Sequence, residues 1–252
     1  MIYFGKTDIG KLRKGNQDSF GIYELGENAI LLAVCDGMGG AAGGEEASRL
    51  AIEAFSDEIK SVLLPRVKDG VLDSDGVDLK LLLENAVSSA NKAVFDEAKS
   101  RPELSGMGTT LVALLYTDKG AYSVNIGDSR MYRICGGEIE QITHDHSYVQ
   151  YLVDIGKLTA EEAKNSSNRN IIMRAVGTEE EIKADIETVE TDFDKDAYFL
   201  LCSDGLTGMV QDDDICKKVS IEGTPEEKVN SLIEAANAGG GADNITVALL
   251  KI

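Results

Sequence analysis

Five aspartates in this chain stand next to apolar stretches that are typical of buried strands. The segment LLAVCDGMGG, residues 31–40, shows the pattern, because an apolar run ends at Asp36 and glycines follow. Most of the others also adjoin Gly, Asn or Ser; they are Asp18, Asp128, Asp204 and Asp243. One such aspartate usually does no more than make a turn. Five of them at strand ends predict that a set of carboxylates meets at one edge of the fold.

Carboxylates brought that close together need cations. At an effective dielectric constant near 20, two of them about 4 Å apart repel each other by roughly 4 kcal/mol, whereas a whole domain is stable by only about 5–15 kcal/mol. Carboxylates, backbone carbonyls and water are the ligands of Mg²⁺ and Mn²⁺. Cysteine and histidine are not spaced for zinc. Glycines 37, 39 and 40 let the backbone bend after Asp36, so that a carbonyl can also reach a cation.

Strands would have to position these aspartates, and the sequence predicts many of them. Apolar or alternating runs cover residues 19–24, 29–35, 109–116, 121–126, 130–135, 138–142, 184–190, 197–202 and 245–251. Residues 116–122 and 132–142 carry hairpin signals, the second with Gly136-Gly137 in its turn. Hairpins favour antiparallel sheets. Helical periodicity is strongest in residues 44–64, 78–100 and 224–241.

Roughly nine or ten strands are more than one flat sheet holds comfortably. We therefore predict an α+β fold, a four-layer α-β-β-α sandwich of two mainly antiparallel sheets flanked by helices. Residues 145–180 interrupt this pattern of strands and helices and are expected to form an irregular segment on the surface. The chain has 252 residues, 43% of them apolar, and no low-complexity linker, so one domain over residues 1–252 is expected.

Charge and cysteine usage limit the function classes. The net charge of −19 disfavours a nucleic-acid partner. No apolar stretch approaches the roughly 18–20 residues that cross a bilayer, and no signal peptide is recognisable. The four cysteines form no CxxC pair, so we expect a reduced, cytoplasmic protein without membrane partners.

Three further patterns allow alternative interpretations. The segment GMGGAA, residues 37–42, formally matches a dinucleotide-binding turn, but the βαβ pattern that should follow is missing. Residues 72–80 resemble a calcium loop with the glycine in the wrong position, and are interpreted as an acidic loop followed by a helix N-cap. His144 and His146 could bind metal or transfer protons. Turn-forming structural roles are the preferred interpretation for both.

Read in order along nearly the whole chain, the motifs resemble the bacterial form of the metal-dependent protein phosphatases of type 2C. The segments that carry the resemblance are RKGNQDS (13–19), CDGMGG (35–40), GMGTT (106–110), IGDSR (126–130), THDHS (143–147), RAVG (174–177), CSDGL (202–206) and DNIT (243–246). Each motif alone is weak, and eight in sequence are specific. The resemblance implies the same α-β-β-α sandwich and hydrolysis of phosphoserine and phosphothreonine in proteins.

The resemblance also implies a role for each aspartate. Two Mn²⁺ or Mg²⁺ ions would bind in a cleft and activate a hydroxide. Asp36 would bridge both ions, the Gly37 carbonyl would bind one, and Asp204 and Asp243 would bind the other. Asp18 would hold metal-bound waters, and Asp128 with Asp204 would form a weaker third site. Arg13 would bind the substrate phosphate.

Partners and regulation are implied in the same way. The expected substrates are phosphorylated proteins, including a Ser/Thr protein kinase, and the expected state is a monomer. Residues 147–170 would form a mobile flap beside the site. Met38 stands where many eukaryotic members carry a histidine proposed as general acid, so the proton donor stays open. A relative that binds phosphoprotein without turnover, and an anti-sigma-pathway regulatory phosphatase, are the alternatives.

Overall fold

The computed structural model describes residues 1–191 and 196–252. Its strands are β1 (Ile2–Asp8), β2 (Asp18–Glu24), β3 (Ala29–Met38), β4 (Val67–Lys68), β5 (Val71–Leu72), β6 (Gly108–Thr109), β7 (Leu111–Thr117), β8 (Gly120–Ile126), β9 (Arg130–Cys135), β10 (Glu138–Gln141), β11 (Asp185–Val189), β12 (Ala197–Cys202) and β13 (Ile245–Lys251). Its α-helices are α1 (Ala41–Leu63), α2 (Leu79–Ser100), α3 (Tyr148–Asp154), α4 (Ala160–Lys164), α5 (Asp204–Thr207), α6 (Asp212–Ser220) and α7 (Pro225–Ala238).

The strands form two main sheets. Sheet 1 has the order β1-β13-β12-β9-β10, and sheet 2 has the order β11-β8-β7-β3-β2, with β6 added at the end of β3. Neighbouring strands in both sheets are antiparallel. The two predicted hairpins are present as β7–β8 and β9–β10. In the second, Gly136 and Gly137 have φ of 63° and 86°, the left-handed conformation that a two-residue turn needs.

Three apolar cores separate four layers. One lies between sheet 2 and helices α1 and α2, one between the two sheets, and one between sheet 1 and helices α6 and α7. Strand β3 shows how the sequence achieves this: Leu31 and Ala33 face the helices, whereas Ile30 and Leu32 face the opposite sheet. A strand buried on both faces has to be apolar throughout. The predicted α-β-β-α sandwich is confirmed.

The predicted strands and the three long helices are also present, with ends shifted by a few residues. The sequence analysis missed β1, which pairs with β13 at the edge of sheet 1, the short pair β4–β5, and the short helices α3 to α6. The dinucleotide-binding interpretation of residues 37–42 is wrong, because β3 lies between the antiparallel neighbours β2 and β7 and no βαβ crossover exists there. None of the described helices is both long and apolar enough to cross a bilayer.

The same end of the sandwich collects the predicted aspartates. Strand β2 begins and β3 ends there, and their register places Asp18 directly opposite Asp36. In sheet 1, β12 ends just before Asp204 and β13 begins just after Asp243. The end of β12 is joined to β13 at this point, because the Ser203 amide donates to the Thr246 carbonyl at 3.1 Å.

Candidate metal centre

Asp36 is held in place through its backbone. Its amide donates to Thr110 Oγ1 at 2.8 Å, and its carbonyl accepts from Thr109 Oγ1 at 2.9 Å. Thr110 Oγ1 also lies 2.7 Å from the hydroxyl of Ser129, the residue after Asp128. The GMGTT segment therefore connects the end of β3 to the loop between β8 and β9, which carries the fourth motif. This connection fixes two of the predicted ligands relative to each other.

Asp18 bridges the two sheets. The hydroxyls of Ser203 and Thr246, both on the side of sheet 1, donate to Asp18 Oδ2 at 2.7 Å each. The other oxygen, Asp18 Oδ1, is buried and has no hydrogen-bond partner among the residues that the structure describes. Sequence reasoning did not single out either hydroxyl. The signal was present, since Ser203 precedes Asp204 in CSDGL and Thr246 closes DNIT.

The electrostatics show that all five aspartates share one region. Burial is the main cause that raises the pKa of Asp36 well above its usual value, and the charges of Asp18, Asp204, Asp128 and Asp243 add to it. Burial likewise raises the pKa of Asp18 to about 7 and that of Asp128 to about 8. The pKa of Asp204 is raised by burial and then by the charge on Asp243. The repulsion expected from the sequence is present.

Arg13 reaches into the same region. Its Nη2 lies 2.6 Å from Asp243 Oδ2, and this hydrogen bond raises the pKa of the guanidinium. The loop that carries Arg13 is fixed by Asn244, whose side-chain amide donates to the carbonyls of Ile9 and Gly15 at 3.0 Å each. Asn244 is a third positioning residue that sequence reasoning missed, after Ser203 and Thr246, although it follows Asp243 directly.

Position 37 requires glycine, because backbone atoms of other residues lie very close to its Cα. Its amide donates to the Gln17 carbonyl at 3.0 Å. A Cβ at this position would lie 1.9 Å from the carbonyl oxygen of Gly44, at the start of α1, and 2.7 Å from that of Gln17. No side chain fits into this space. The turn after Asp36 therefore depends on glycine for packing as well as for flexibility.

The donor set suits divalent cations, although the ligands are not closed around a cation position. Within the described residues, no group of three or more carboxylate, imidazole or thiolate side chains is arranged as a metal-binding cluster. Two buried oxygens, Asp18 Oδ1 and Asp204 Oδ1, nevertheless lack any hydrogen-bond partner. Unsatisfied carboxylate oxygens in a region of excess negative charge are what a hard cation would satisfy.

The other predicted features have mainly structural contacts. His144 is exposed and pairs with Asp154 at 2.9 Å, whereas the buried His146 pairs with Asp185 at 2.9 Å. In the acidic loop, Asp78 caps helix α2 by accepting from the Leu81 amide, as predicted. Residues 147–170 contain the short helices α3 and α4.

Comparisons with known proteins give the family. Residues 12–233 match the sequence model of the family described as protein phosphatase 2C. The serine/threonine phosphatase stp of Listeria monocytogenes is 35% identical over 246 residues, which cover 98% of this chain and 94% of the relative. The crystal structure of the serine/threonine phosphatase Stp1 from Staphylococcus aureus superposes with a TM-score of 0.88 at 37% identity, covering 100% of this chain and 95% of that one. The catalytic domain of the serine threonine protein phosphatase PstP, in complex with two manganese ions, superposes with a TM-score of 0.79 at 39% identity, covering 98% and 96% of the two chains.

Proposed function

This chain belongs to the protein phosphatase 2C family, and from that premise we propose that it hydrolyses phosphoserine and phosphothreonine in proteins. The observation that carries the proposal is the convergence of aspartates from both sheets. It is visible in the pKa of Asp36, which the charges of the four other aspartates raise. Such a concentration of carboxylates is costly unless cations use it. The similarity to a phosphatase domain that binds two manganese ions supports the same conclusion.

We assign the cation ligands as follows. Asp36 would contact both ions, the Gly37 carbonyl one of them, and Asp204 and Asp243 the other. Asp18 would hold water near the ions, and Asp128 with Asp204 would form the weaker third site. The unpartnered oxygens of Asp18 and Asp204 support this assignment. When bound, two Mn²⁺ or Mg²⁺ ions supply a water whose pKa is low enough for attack on phosphorus near neutral pH.

Arg13 is the proposed phosphate ligand. Its guanidinium can donate two parallel hydrogen bonds to phosphoryl oxygens, and it can balance the charge that develops during attack. Its side chain is 46% exposed, so a phosphoprotein can reach it. Its contact with Asp243 gives it a second partner, and substrate phosphate would compete with that carboxylate. Arg13 would thus bind the Asp243 carboxylate without substrate and the phosphate when substrate is present.

The leaving alkoxide needs a proton, and histidine does not provide it in this proposal. Met38 cannot donate one, His146 is engaged at both ring nitrogens, and His144 is paired with Asp154. We assign the proton to water held at Asp128. Asp128→Ala should then slow hydrolysis of a phosphothreonine peptide more than that of p-nitrophenyl phosphate, whose leaving group needs little protonation. Equal losses on both substrates would contradict this assignment.

The decisive experiment is hydrolysis of a phosphothreonine peptide with Mn²⁺, with excess EDTA, and with the variant Asp36→Asn. We expect turnover with Mn²⁺ only, and near-complete loss in the variant. Asp75→Asn, an exposed acid in the loop before α2, is the matched control and should leave turnover unchanged. Turnover that persists in EDTA would refute the proposal. Binding of the peptide without turnover would instead indicate a relative that has lost catalysis.

We infer a single phosphatase domain over residues 1–252 with residues 147–170 as its flap. The substrates would be phosphorylated proteins, among them a Ser/Thr protein kinase, and the enzyme would act as a cytoplasmic monomer. The net charge of −19 supports the absence of nucleic acid among its partners.

A further inference from the structure

His146 has a set of contacts that the proposed reaction does not use. Its side chain is 8% exposed, whereas that of His144, two residues earlier, is 58% exposed. These are the two histidines of the chain. A buried imidazole has to satisfy both ring nitrogens, so the partners of His146 define what it does.

His146 holds both backbone groups of Gly127. Its own amide donates to the Gly127 carbonyl at 2.8 Å, and its ring Nδ1 accepts from the Gly127 amide at 3.2 Å. Gly127 has φ of 103°, and a Cβ there would meet Thr110 Cγ2 at 2.6 Å. The turn therefore has little freedom. Asp128 is the next residue, and the direction of its side chain depends on this turn.

The hydrogen bonds select one form of the ring. A backbone amide can only donate, so Nδ1 of His146 has to be unprotonated and the proton lies on Nε2. Nε2 then donates to Asp185 Oδ2 at 2.9 Å. Arg174 Nη1 lies 3.1 Å from the same Nε2, which as a donor cannot accept from it, and donates instead to the other oxygen, Asp185 Oδ1, at 2.9 Å. Burial lowers the pKa of His146, which agrees with a neutral ring.

The same residue closes the base of the flap. The flap is the segment 147–170, and it begins directly after His146. On the returning side, the amide of Met173 donates to the His146 carbonyl at 2.8 Å. The amide of Tyr148 donates to the Ile171 carbonyl at 2.8 Å, and Ser147 and Ile172 form an isolated bridge. Both ends of the flap therefore meet at His146.

We propose that His146 is a positioning residue that couples the base of the flap to the Gly127-Asp128 turn, with Asp185 and Arg174 fixing its ring. This inference rests on the proposed function, in which Asp128 holds water for the leaving group. Movement at the flap base would turn the imidazole, and the imidazole would turn the carboxylate of Asp128. Flap position and leaving-group protonation would then be set together.

The tautomer is tested by nuclear magnetic resonance. In the variant His144→Gln, His146 is the remaining imidazole, and its ¹⁵N shifts should report a proton on Nε2 and an unprotonated Nδ1 at pH 7. A proton on Nδ1 would overturn the proposal. This measurement needs no metal and no activity, so it stays informative even if the proposed phosphatase reaction fails.

The coupling between the flap base and the Gly127-Asp128 turn is tested with variants of His146. His146→Ala should make the flap cut faster by trypsin, which cleaves after Lys157, Lys164 and Arg169. It should also lower kcat on a phosphothreonine peptide by about 10-fold, the lower end of the range for supporting residues of metal sites. His146→Asn, whose Oδ1 can replace Nδ1 at Gly127, should recover much of that kcat. Asp75→Asn, in the exposed loop before α2, is the control and should behave as the parent in both assays.

A double-mutant cycle separates coupling from general damage. If His146 acts through Asp128, the kcat losses of His146→Ala and Asp128→Ala should be strongly non-additive. Additive losses would overturn the proposal, as would parental trypsin resistance in His146→Ala. Circular dichroism melts verify that each variant folds. His146→Gln, which keeps a donor in reach of Asp185, replaces His146→Ala if the latter does not fold.

Discussion

The hydroxyl of Ser203 offers a direct test of how this fold supports its carboxylates. Ser203 is fully buried, donates to Asp18 Oδ2 at 2.7 Å and accepts from the Thr246 amide at 3.0 Å. Ser203→Ala removes both hydrogen bonds and adds no bulk. The substitution therefore probes the connection between the sheets without disturbing the apolar cores.

The expected loss of stability follows from these two bonds. A hydrogen bond to a charged group contributes roughly 1.5–3 kcal/mol, and a buried amide left without a partner costs roughly 1–3 kcal/mol. Because the pKa of Asp18 is about 7, its carboxyl is only partly ionised at neutral pH, which favours the lower ends of these ranges. We expect the free energy of unfolding to fall by about 3 kcal/mol. Affinity for Mn²⁺ should fall about 10-fold, since Asp18 loses a donor that favours its ionised form.

The assay combines urea denaturation in EDTA with Mn²⁺ titration by calorimetry. Ser48→Ala is the matched control. Ser48 is also fully buried, on helix α1, and its hydroxyl lies 2.9 Å from that of Ser19 and donates to the Glu45 carbonyl at 3.2 Å, so the substitution removes neither of the hydroxyls that bind Asp18. It should cost about 1 kcal/mol and leave Mn²⁺ affinity unchanged. If both variants lost the same stability and Ser203→Ala kept parental Mn²⁺ affinity, the assigned role of the Asp18 bridge would be refuted.

Three further variants test other parts of the site. Arg13→Ala should weaken inhibition by inorganic phosphate and tighten Mn²⁺ binding by up to about fivefold, because the exposed pair with Asp243 contributes about 0–1 kcal/mol; weaker Mn²⁺ binding in calorimetry would contradict this. Gly37→Ala should lower the free energy of unfolding by about 3 kcal/mol in urea, since its Cβ would lie 1.9 Å from the Gly44 carbonyl oxygen; parental stability would show that the turn can relax. The lowered pKa of His146 means that the unfolded chain binds more protons, so this residue's contribution is complete above about pH 6.5 and is lost as pH falls. His146→Gln should therefore lose less stability than the parent between pH 7 and the acid range, and parallel stability curves would contradict the assignment.

The sequence was sufficient for the parts of the fold that repeat a local pattern. The continuous apolar run in β3 is typical of a strand buried on both faces, and the structure places Leu31 and Leu32 in different cores. The position of an aspartate at the end of such a strand is then fixed by chain geometry alone. This is why Asp36 and Asp18 could be expected at the same edge before the register was known.

The missed elements have weak local patterns. Strand β1, IYFGKTD, is only partly buried along its length and is recognised through its pairing with β13, as in Ile2 with Lys251. Helices α3 and α4 have seven and five residues, too few for a helical period, and begin at the capping side chains of Ser147 and Thr159. Long-range register and tertiary packing determine these elements, and neither can be read from a short window of sequence.

The same distinction explains the partners of the aspartates. Motif order identified the carboxylates, but the bonds from Ser203 and Thr246 to Asp18 depend on how sheet 1 lies on sheet 2. Asp18 belongs to sheet 2, whereas both hydroxyls lie on the side of sheet 1. The site is therefore assembled by the packing of the sandwich and does not exist in either sheet alone. A cation bound by Asp36 of one sheet and by Asp204 and Asp243 of the other would hold the two sheets together, so the proposed cofactor would act on fold stability as well as on chemistry.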